Sequence, residues 1–341
     1  MKSILTAFPS PTISDLTLGP VTIHFYALFI ILGIAVAAII SALRMQKRGA
    51  NSGLAIDIAI WAVPFGIVGG RLFHVLTHWS DYFGAGKNPA SALYVWEGGL
   101  AIYGALIFGA VGVYLGTRMS GIKFMAYADI LVPGLILAQG IGRWGNYFNQ
   151  ELFGTPTDLP WGLNITNAAT NPAWPVGLPT DTLMQPMFLY ESLWDIAGVA
   201  VLLILEKKLR LQWGRLFGAY LMYYAVGRGI IEPYRLDAAS TFLGIRVNEW
   251  MSILMFVIGA AVIYLQNRRH TGIETSIFLP GREPVVESGA EAAETIAAAI
   301  ADEPATETEA DATAKKPAKK RAKAHKDDVD FSTDEVNSKS E

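Results

Sequence analysis

An all-α integral membrane protein is what this sequence predicts: seven transmembrane helices, a small irregular extracytoplasmic cap and a disordered C-terminal tail. Three observations carry the expectation. The 341-residue chain is 52% hydrophobic, but its charges crowd toward the C-terminus, leaving long apolar runs at Val21–Leu43, Leu54–Gly70 and Val247–Leu265. At about 1.5 Å per residue, each run can cross most or all of a roughly 30 Å hydrocarbon layer. The Lys and Arg residues of the connections divide unevenly between the two membrane sides, and beyond Thr271 the composition changes abruptly.

Residues 1–20 combine one Lys with polar residues and prolines; they lack a secretory pattern and read as an extracytoplasmic N-terminal segment. The membrane domain, 21–270, is expected to hold spans at about 21–43, 54–76, 98–117, 124–141, 187–205, 216–232 and 247–265. Eleven Lys and Arg, at 44–48, 118–123, 207–215 and 268–269, fall on one side. Lys2, Lys87, Arg143, Arg235 and Arg246 fall on the other. The richer side is cytoplasmic, so the N-terminus lies outside, the C-terminus inside, and the span number is odd. The long external connection, 143–186, holds Pro156, Pro160, Pro172, Pro175, Pro179 and Pro186, which oppose regular helix and suit an irregular cap. Residues 283–311 carry nine acids and no Lys or Arg, while 315–326 carry seven Lys or Arg. With few bulky apolar residues, 271–341 reads as a disordered cytoplasmic tail, its basic stretch open to contact with anionic lipid. No cysteine is present, which excludes a disulfide, a Cys-ligated metal or a thiolate nucleophile in this chain.

Ionisable groups at membrane depth are costly and are usually paired or functional. His24 and Tyr26 open the first span and could be interfacial anchors. Arg71 follows Gly69 and Gly70 and could snorkel outward. Gly98, Gly99 and Gly104 surround Tyr103, where close helix packing and a thin-walled turn for a lipid headgroup are both open. The densest segment runs from Gly140 to Gly154. Within it Arg143, Asn146, Asn149, Gln150 and Glu151 gather donors and acceptors, with glycines leaving room; the Arg fork and the amides suit a phosphate. Tyr224, Arg228, Glu232 and Arg235 form one helical stripe, with an i,i+4 ion pair as its structural reading and a kink expected at Pro233. Tyr190–Glu191 adds a carboxylate.

Together these residues resemble the prolipoprotein diacylglyceryl transferase family. The family motif G-R-x-G-N-[FY]-x-N-x-E-x-x-G is met at every fixed position from Gly142 to Gly154. His24-x-Tyr26, Gly70-Arg71, Trp96-x-Gly98-Gly99, Asp129, Tyr190-Glu191 and the Tyr224–Arg235 stripe follow in family order. The resemblance implies a multi-pass enzyme of the bacterial inner (plasma) membrane that takes phosphatidylglycerol as donor. It attaches the diacylglyceryl group to the lipobox cysteine thiol of a prolipoprotein signal peptide and releases glycerol 1-phosphate. It implies no metal or organic cofactor, and no nucleic-acid partner is expected. Tyr103 stands where some members carry His, and the last span opens Asn248-Glu249-Trp250-Met251-Ser252 instead of the commoner G-Q-x-L-S.

On that basis Arg143 and Arg228 are expected to hold the phosphate, with Tyr26 and Asn146 fixing the headgroup and Gly98, Gly99 and Gly154 lining it. Tyr103, His24 and Glu151 are the candidate bases, and Glu232 completes the catalytic set. Arg71, Asp129, Asn149, Glu191, Tyr224 and Arg235 are expected to support it. The rival readings are a transporter or channel for a small polar solute and a non-catalytic lipid-binding scaffold. An Mg²⁺-dependent transferase would need clustered aspartates and a zinc protease an H-E-x-x-H pair, and the sequence offers neither.

Overall fold

The computed structural model describes residues 7–19, 21–171, 173–236 and 241–283. The sequence expectations for 1–6 and for the charged tail from 284 onward lie outside the described residues. The helices are α1 (Phe25–Lys47), α2 (Leu54–Thr77), a short α3 (Trp79–Phe83), α4 (Ile102–Met119), α5 (Phe124–Asn149), α6 (Met187–Leu209), α7 (Arg215–Ile231) and α8 (Val247–Arg269). Six of these (α1, α2, α4, α5, α6 and α8) are long and apolar enough to cross a membrane; α7 is shorter, at 17 residues. Many apolar side chains on their outer faces, such as Ile31, Ile60, Ile107 and Val257, are more than half exposed. An apolar belt of that extent suits lipid contact.

Small residues set the helix pairing. The principal pairs are α1 with α5, α2 with α4, α5 with α6 and α7 with α8. Gly69 of α2 and Gly104 of α4 meet so closely that neither has room for a Cβ. Gly134 of α5 sits on Ala37 of α1, and Gly218 of α7 faces Gly259 of α8. Such contacts bring backbones together where lipid offers no hydrophobic drive for helices to associate. Gly104 therefore serves packing, one of the two readings its sequence left open.

The remaining chain folds over the helix ends. A hairpin, β2 (Asp15–Leu18) with β3 (Val21–His24), leads into α1, and β1 (Phe8–Pro9) pairs in parallel with β4 (Leu163–Asn164). β5 (Thr241–Phe242) and β6 (Ile245–Arg246) form a second hairpin before α8. Phe153, Leu163, Ile165, Met184 and Phe188 give the 150–186 connection its own apolar centre.

Three expectations need correction. First, α5 does not stop near 141: it runs to Asn149, so Arg143, Asn146 and Asn149 stand on its last two turns and not in the 143–186 loop. Gly142 and Gly145 do not break it, because Gly145 allows Tyr26 of α1 to pack directly against the helix. Second, Pro233 does not kink a continuing helix. α7 ends at Ile231, and Glu232–Tyr234 forms a 3₁₀ turn, in which proline at the first turn lacks no needed donor. Third, the segment following α8 is not disordered from 271. The Lys123 N–H bonds the Ile277 carbonyl at 2.9 Å and the Leu279 N–H bonds the Gly121 carbonyl at 2.8 Å. Ile277 and Phe278 insert into a buried cluster with Met45, Ile58, Ile122 and Ile130. Residues 273–279 thus form a strap across the helix ends opposite Arg143.

Candidate active site

Glu191, just past the first turn of α6 and almost fully buried, is the meeting point of the site. Its Oε2 lies 3.0 Å from an Arg143 Nη of α5. Its Oε1 lies 3.2 Å from an Nη of Arg228 on α7 and 2.8 Å from one of Arg235, just past α7. Arg228 also meets Glu232 at 2.7 Å, the i,i+4 pair the sequence suggested. Glu232, with no exposed surface, then takes the Arg246 Nε at 3.0 Å and the Asn248 side-chain amide at 2.9 Å. The Tyr103 hydroxyl, arriving from α4, donates to the Asn248 Oδ1 at 3.2 Å. One bonded chain therefore links α4, α5, α6, α7 and α8.

Four guanidinium groups, those of Arg143, Arg228, Arg235 and Arg246, thus gather on the carboxylates of Glu191 and Glu232. Arg143 presents five N–H donors and, among the described residues, its only ion-pair partner is Glu191. Arg228 is held from both sides, by Glu191 and Glu232. Asp195, one turn along α6 from Glu191, is buried against Gly140 of α5, and its Oδ2 has no hydrogen-bond partner among the described residues. The open N–H edges of Arg143 in a water-poor setting suit an anion that builds charge during a reaction.

A second cluster adjoins Arg143 on the last turn of α5. Asn146 donates to the Glu151 Oε1 at 2.9 Å and Asn149 to the same oxygen at 3.2 Å. The Glu151 N–H bonds back to the Asn146 carbonyl at 3.1 Å, which turns the chain under the helix end. Gln150 takes a left-handed backbone, φ 50°, at that turn. Tyr26 packs its ring on Gly145 and lies close enough to Glu151 and Arg143 to feel both charges.

Most expected residues come together: Arg143, Asn146, Asn149, Glu151, Tyr26, Glu191, Arg228, Glu232, Arg235 and Tyr103 share this end of the bundle, and Tyr224 stands one turn before Arg228. Others do not join. Asp129 lies at the far end of α5, where its carboxylate accepts the N–H groups of Gly214 at 2.7 Å and Phe217 at 2.9 Å. It caps α7, because unpaired N–H groups at a helix start need acceptors. Gly154 is not a headgroup cradle: its N–H is taken by the Gln185 carbonyl at 2.9 Å, and Met187, Gln185 and the Tyr234 carbonyl leave no space for a Cβ. Arg71 does not snorkel; it donates to the carbonyls of Ser91, Ala92, Gly98 and Gly99 at 2.6–3.1 Å. The Gly98 and Gly99 carbonyls are thereby tied down, and Gly99 (φ 71°) gives Arg71 its passage. His24 is exposed at the start of α1 and makes no side-chain hydrogen bond among the described residues.

Arg246, Asn248 and Asp195 were missed as site residues. Asn248 appeared only as a departure from a motif. The signal for Asp195 was its i,i+4 spacing from Glu191 inside an apolar span. Among the described residues, no group of His, Asp or Glu is arranged to hold a metal ion.

A family model described as "Prolipoprotein diacylglyceryl transferase" matches residues 14–265. A phosphatidylglycerol--prolipoprotein diacylglyceryl transferase of Leifsonia xyli subsp. xyli is 49% identical over 319 residues, 89% of this chain and 95% of the relative. Transferase 2 of the same name from Streptomyces coelicolor is 48% identical, covering 81% of this chain and 86% of the relative. The Mycobacteroides abscessus protein of that name is 44% identical, with 85% and 86% covered.

Proposed function

The chain belongs to the prolipoprotein diacylglyceryl transferase family, and from that premise we propose how its arginine-rich end moves a diacylglyceryl group from phosphatidylglycerol to a prolipoprotein. The single observation that carries the reading is the convergence of Arg143 and Arg228 on Glu191. Family membership leaves the transporter and scaffold readings without support. The protein sits in a bacterial membrane with seven spans, α7 included, and its arginine end faces outward, where secreted acceptors emerge.

The acceptor is the thiol of the lipobox cysteine. Its sulfur attacks the primary glycerol carbon of the diacylglyceryl group; the C–S bond forms as the C–O bond to phosphate breaks. The thiol proton passes to a base, and glycerol 1-phosphate leaves carrying the displaced electron pair. Arg143 meets the phosphate with its open N–H edges, and Arg228 reinforces it from the Glu191 side, so leaving-group charge falls on groups already oriented. Glu191 and Glu232 keep four guanidinium groups together that would otherwise repel.

Of the three candidate bases, Glu151 suits the task best. The Tyr103 hydroxyl proton is engaged by Asn248, and His24 stands outside the bonded network. Glu151 is close enough to Tyr26 to act on it, as Arg143 is, and its bonds from Asn146 and Asn149 both fall on Oε1, so that among the described residues Oε2 accepts no hydrogen bond. Mass spectrometry of a lipobox peptide incubated with purified protein and phosphatidylglycerol should detect a thioether-linked diacylglyceryl adduct; an unmodified peptide refutes the reading. The Glu151→Gln variant should lose transfer at the chemical step, while Tyr103→Phe and His24→Gln keep it. Loss of transfer in His24→Gln with activity kept in Glu151→Gln would move the role to His24.

A further inference from the structure

A cavity of about 340 Å³ lies beside the Glu151 turn, lined by Thr12, Ser14, Phe148, Asn149, Gln150, Thr166 and Asn167. We propose that it binds the main chain of the acceptor polypeptide next to its modified cysteine, in extended form. The proposal rests on the transfer reading above and adds where the acceptor is held.

The lining argues against the other two parts of the reaction mixture. It contains no Lys or Arg, so it offers an anionic headgroup none of the charge concentrated around Glu191. It is mostly hydroxyls and amides, which an acyl chain would desolvate without return. An uncharged chain with alternating donors and acceptors remains, and this is what a peptide backbone supplies. The cavity has matching groups left over. Asn167 uses its Oδ1 to accept from Asn171 at 3.0 Å, while its Nδ2 has no partner among the described residues. Asn149 directs its Nδ2 to Glu151, and its Oδ1 has none.

Position and rigidity point the same way. Asn149 is shared between the cavity wall and the Glu151 cluster, so a chain lying in the cavity ends beside the proposed base. Gln150 fastens the two walls: its Nε2 donates to the Pro11 carbonyl at 2.6 Å and the Thr166 hydroxyl at 2.8 Å, and its Oε1 accepts from the Thr166 N–H at 2.9 Å. The Tyr147 hydroxyl adds a bond to the Pro9 carbonyl at 2.6 Å. The groove is thus formed before a ligand arrives, which lowers the ordering cost of binding.

The test is a charge exchange at Thr12, an exposed position where Lys is compatible with folding. The full-length Thr12→Lys enzyme is compared with wild type on lipobox peptides bearing Glu, Ser or Lys immediately after the cysteine, with phosphatidylglycerol saturating. The variant should raise kcat/KM for the Glu peptide relative to the Ser peptide by about two- to fivefold, as expected of an exposed ion pair, and lower it for the Lys peptide. KM for phosphatidylglycerol should not change. Thr12→Trp, which fills the groove, should raise peptide KM with little change in kcat. Unchanged peptide preference in Thr12→Lys overturns the proposal, as does an effect confined to phosphatidylglycerol KM, which would make the cavity a lipid site. Wild-type adduct formation tests the transfer reading separately, so the two can fail independently.

Discussion

Arginine and carboxylate meet at both ends of this helix bundle, and the two meetings differ in how completely they are satisfied. At the strap end, Arg44 places both Nη atoms on Glu206, at 2.6 and 3.0 Å, and gives further bonds to the carbonyls of Asp129 and Ile130. Arg48 joins Glu206 and Glu274, so two cations face two acids. Both oxygens of neighbouring Asp129 are filled by backbone N–H groups. At the opposite end, among the described residues, Arg143 has Glu191 as its one ion-pair partner and an oxygen of Asp195 accepts no hydrogen bond. A saturated network is the expected device for holding helices together; unsaturated donors cost stability and persist where a ligand completes them.

That contrast can be broken by substitution, and the largest effect is expected at the open end. Arg143→Lys and Arg228→Lys each retain charge but lose the planar fork. Transfer to a lipobox peptide should fall by about 10²–10³-fold, with thermal unfolding in detergent little changed for Arg143→Lys. Wild-type turnover in both variants would remove the phosphate clamp. At the closed end, Arg44→Met should reverse the pattern: destabilisation of about 1–3 kcal/mol, reduced from a fully buried pair because both partners are partly exposed, with near-normal activity per folded molecule. A loss of turnover without a loss of stability would show that the two ends are not separable in this way.

The smallest effect concerns pH. Burial raises the Glu274 carboxyl above its ordinary value of 4.5, against the opposing pull of Arg48 and Lys123. A carboxyl whose folded pKa is raised binds protons more tightly when folded, so its contribution is greatest at acid pH. That contribution is lost as pH climbs from the unfolded value through the folded one. The difference in melting temperature between wild type and Glu274→Gln should therefore drift against wild type as pH rises above about 4.5. A difference that stays constant with pH would show that folding does not shift the Glu274 carboxyl.

Much of the open end was legible because its chemistry is written locally. The run from Arg143 to Glu151 falls within a few turns of chain, and Arg228 and Glu232 declare themselves by helical spacing. Residues that join from afar were harder to see. Arg246 and Asn248 acquire their meaning only when a second hairpin brings the start of α8 to Glu232. Asp129 misled for the same reason: a carboxylate in a span reads alike whether it serves a substrate or caps a distant helix. The strap escaped notice because Ile277 and Phe278 are only two bulky residues in a polar stretch, too few for any periodicity to register.

The last helix, α8, is fastened at its two tips and along one face, where Gly259 meets Gly218 of α7. It packs chiefly on α7 and is the least enclosed of the six long apolar helices. Its first turn is pinned by Asn248 to Glu232, and the chain beyond its last turn is pinned by Glu274 to Gln212 and by Ile277 to Lys123. A rod of 23 residues, about 34 Å long, held in this way transmits axial displacement from tip to tip more readily than it bends. Loosening the anchorage at one membrane face should be felt at the other as lost alignment of Glu232 and of the Arg228 and Arg246 guanidinium groups it holds.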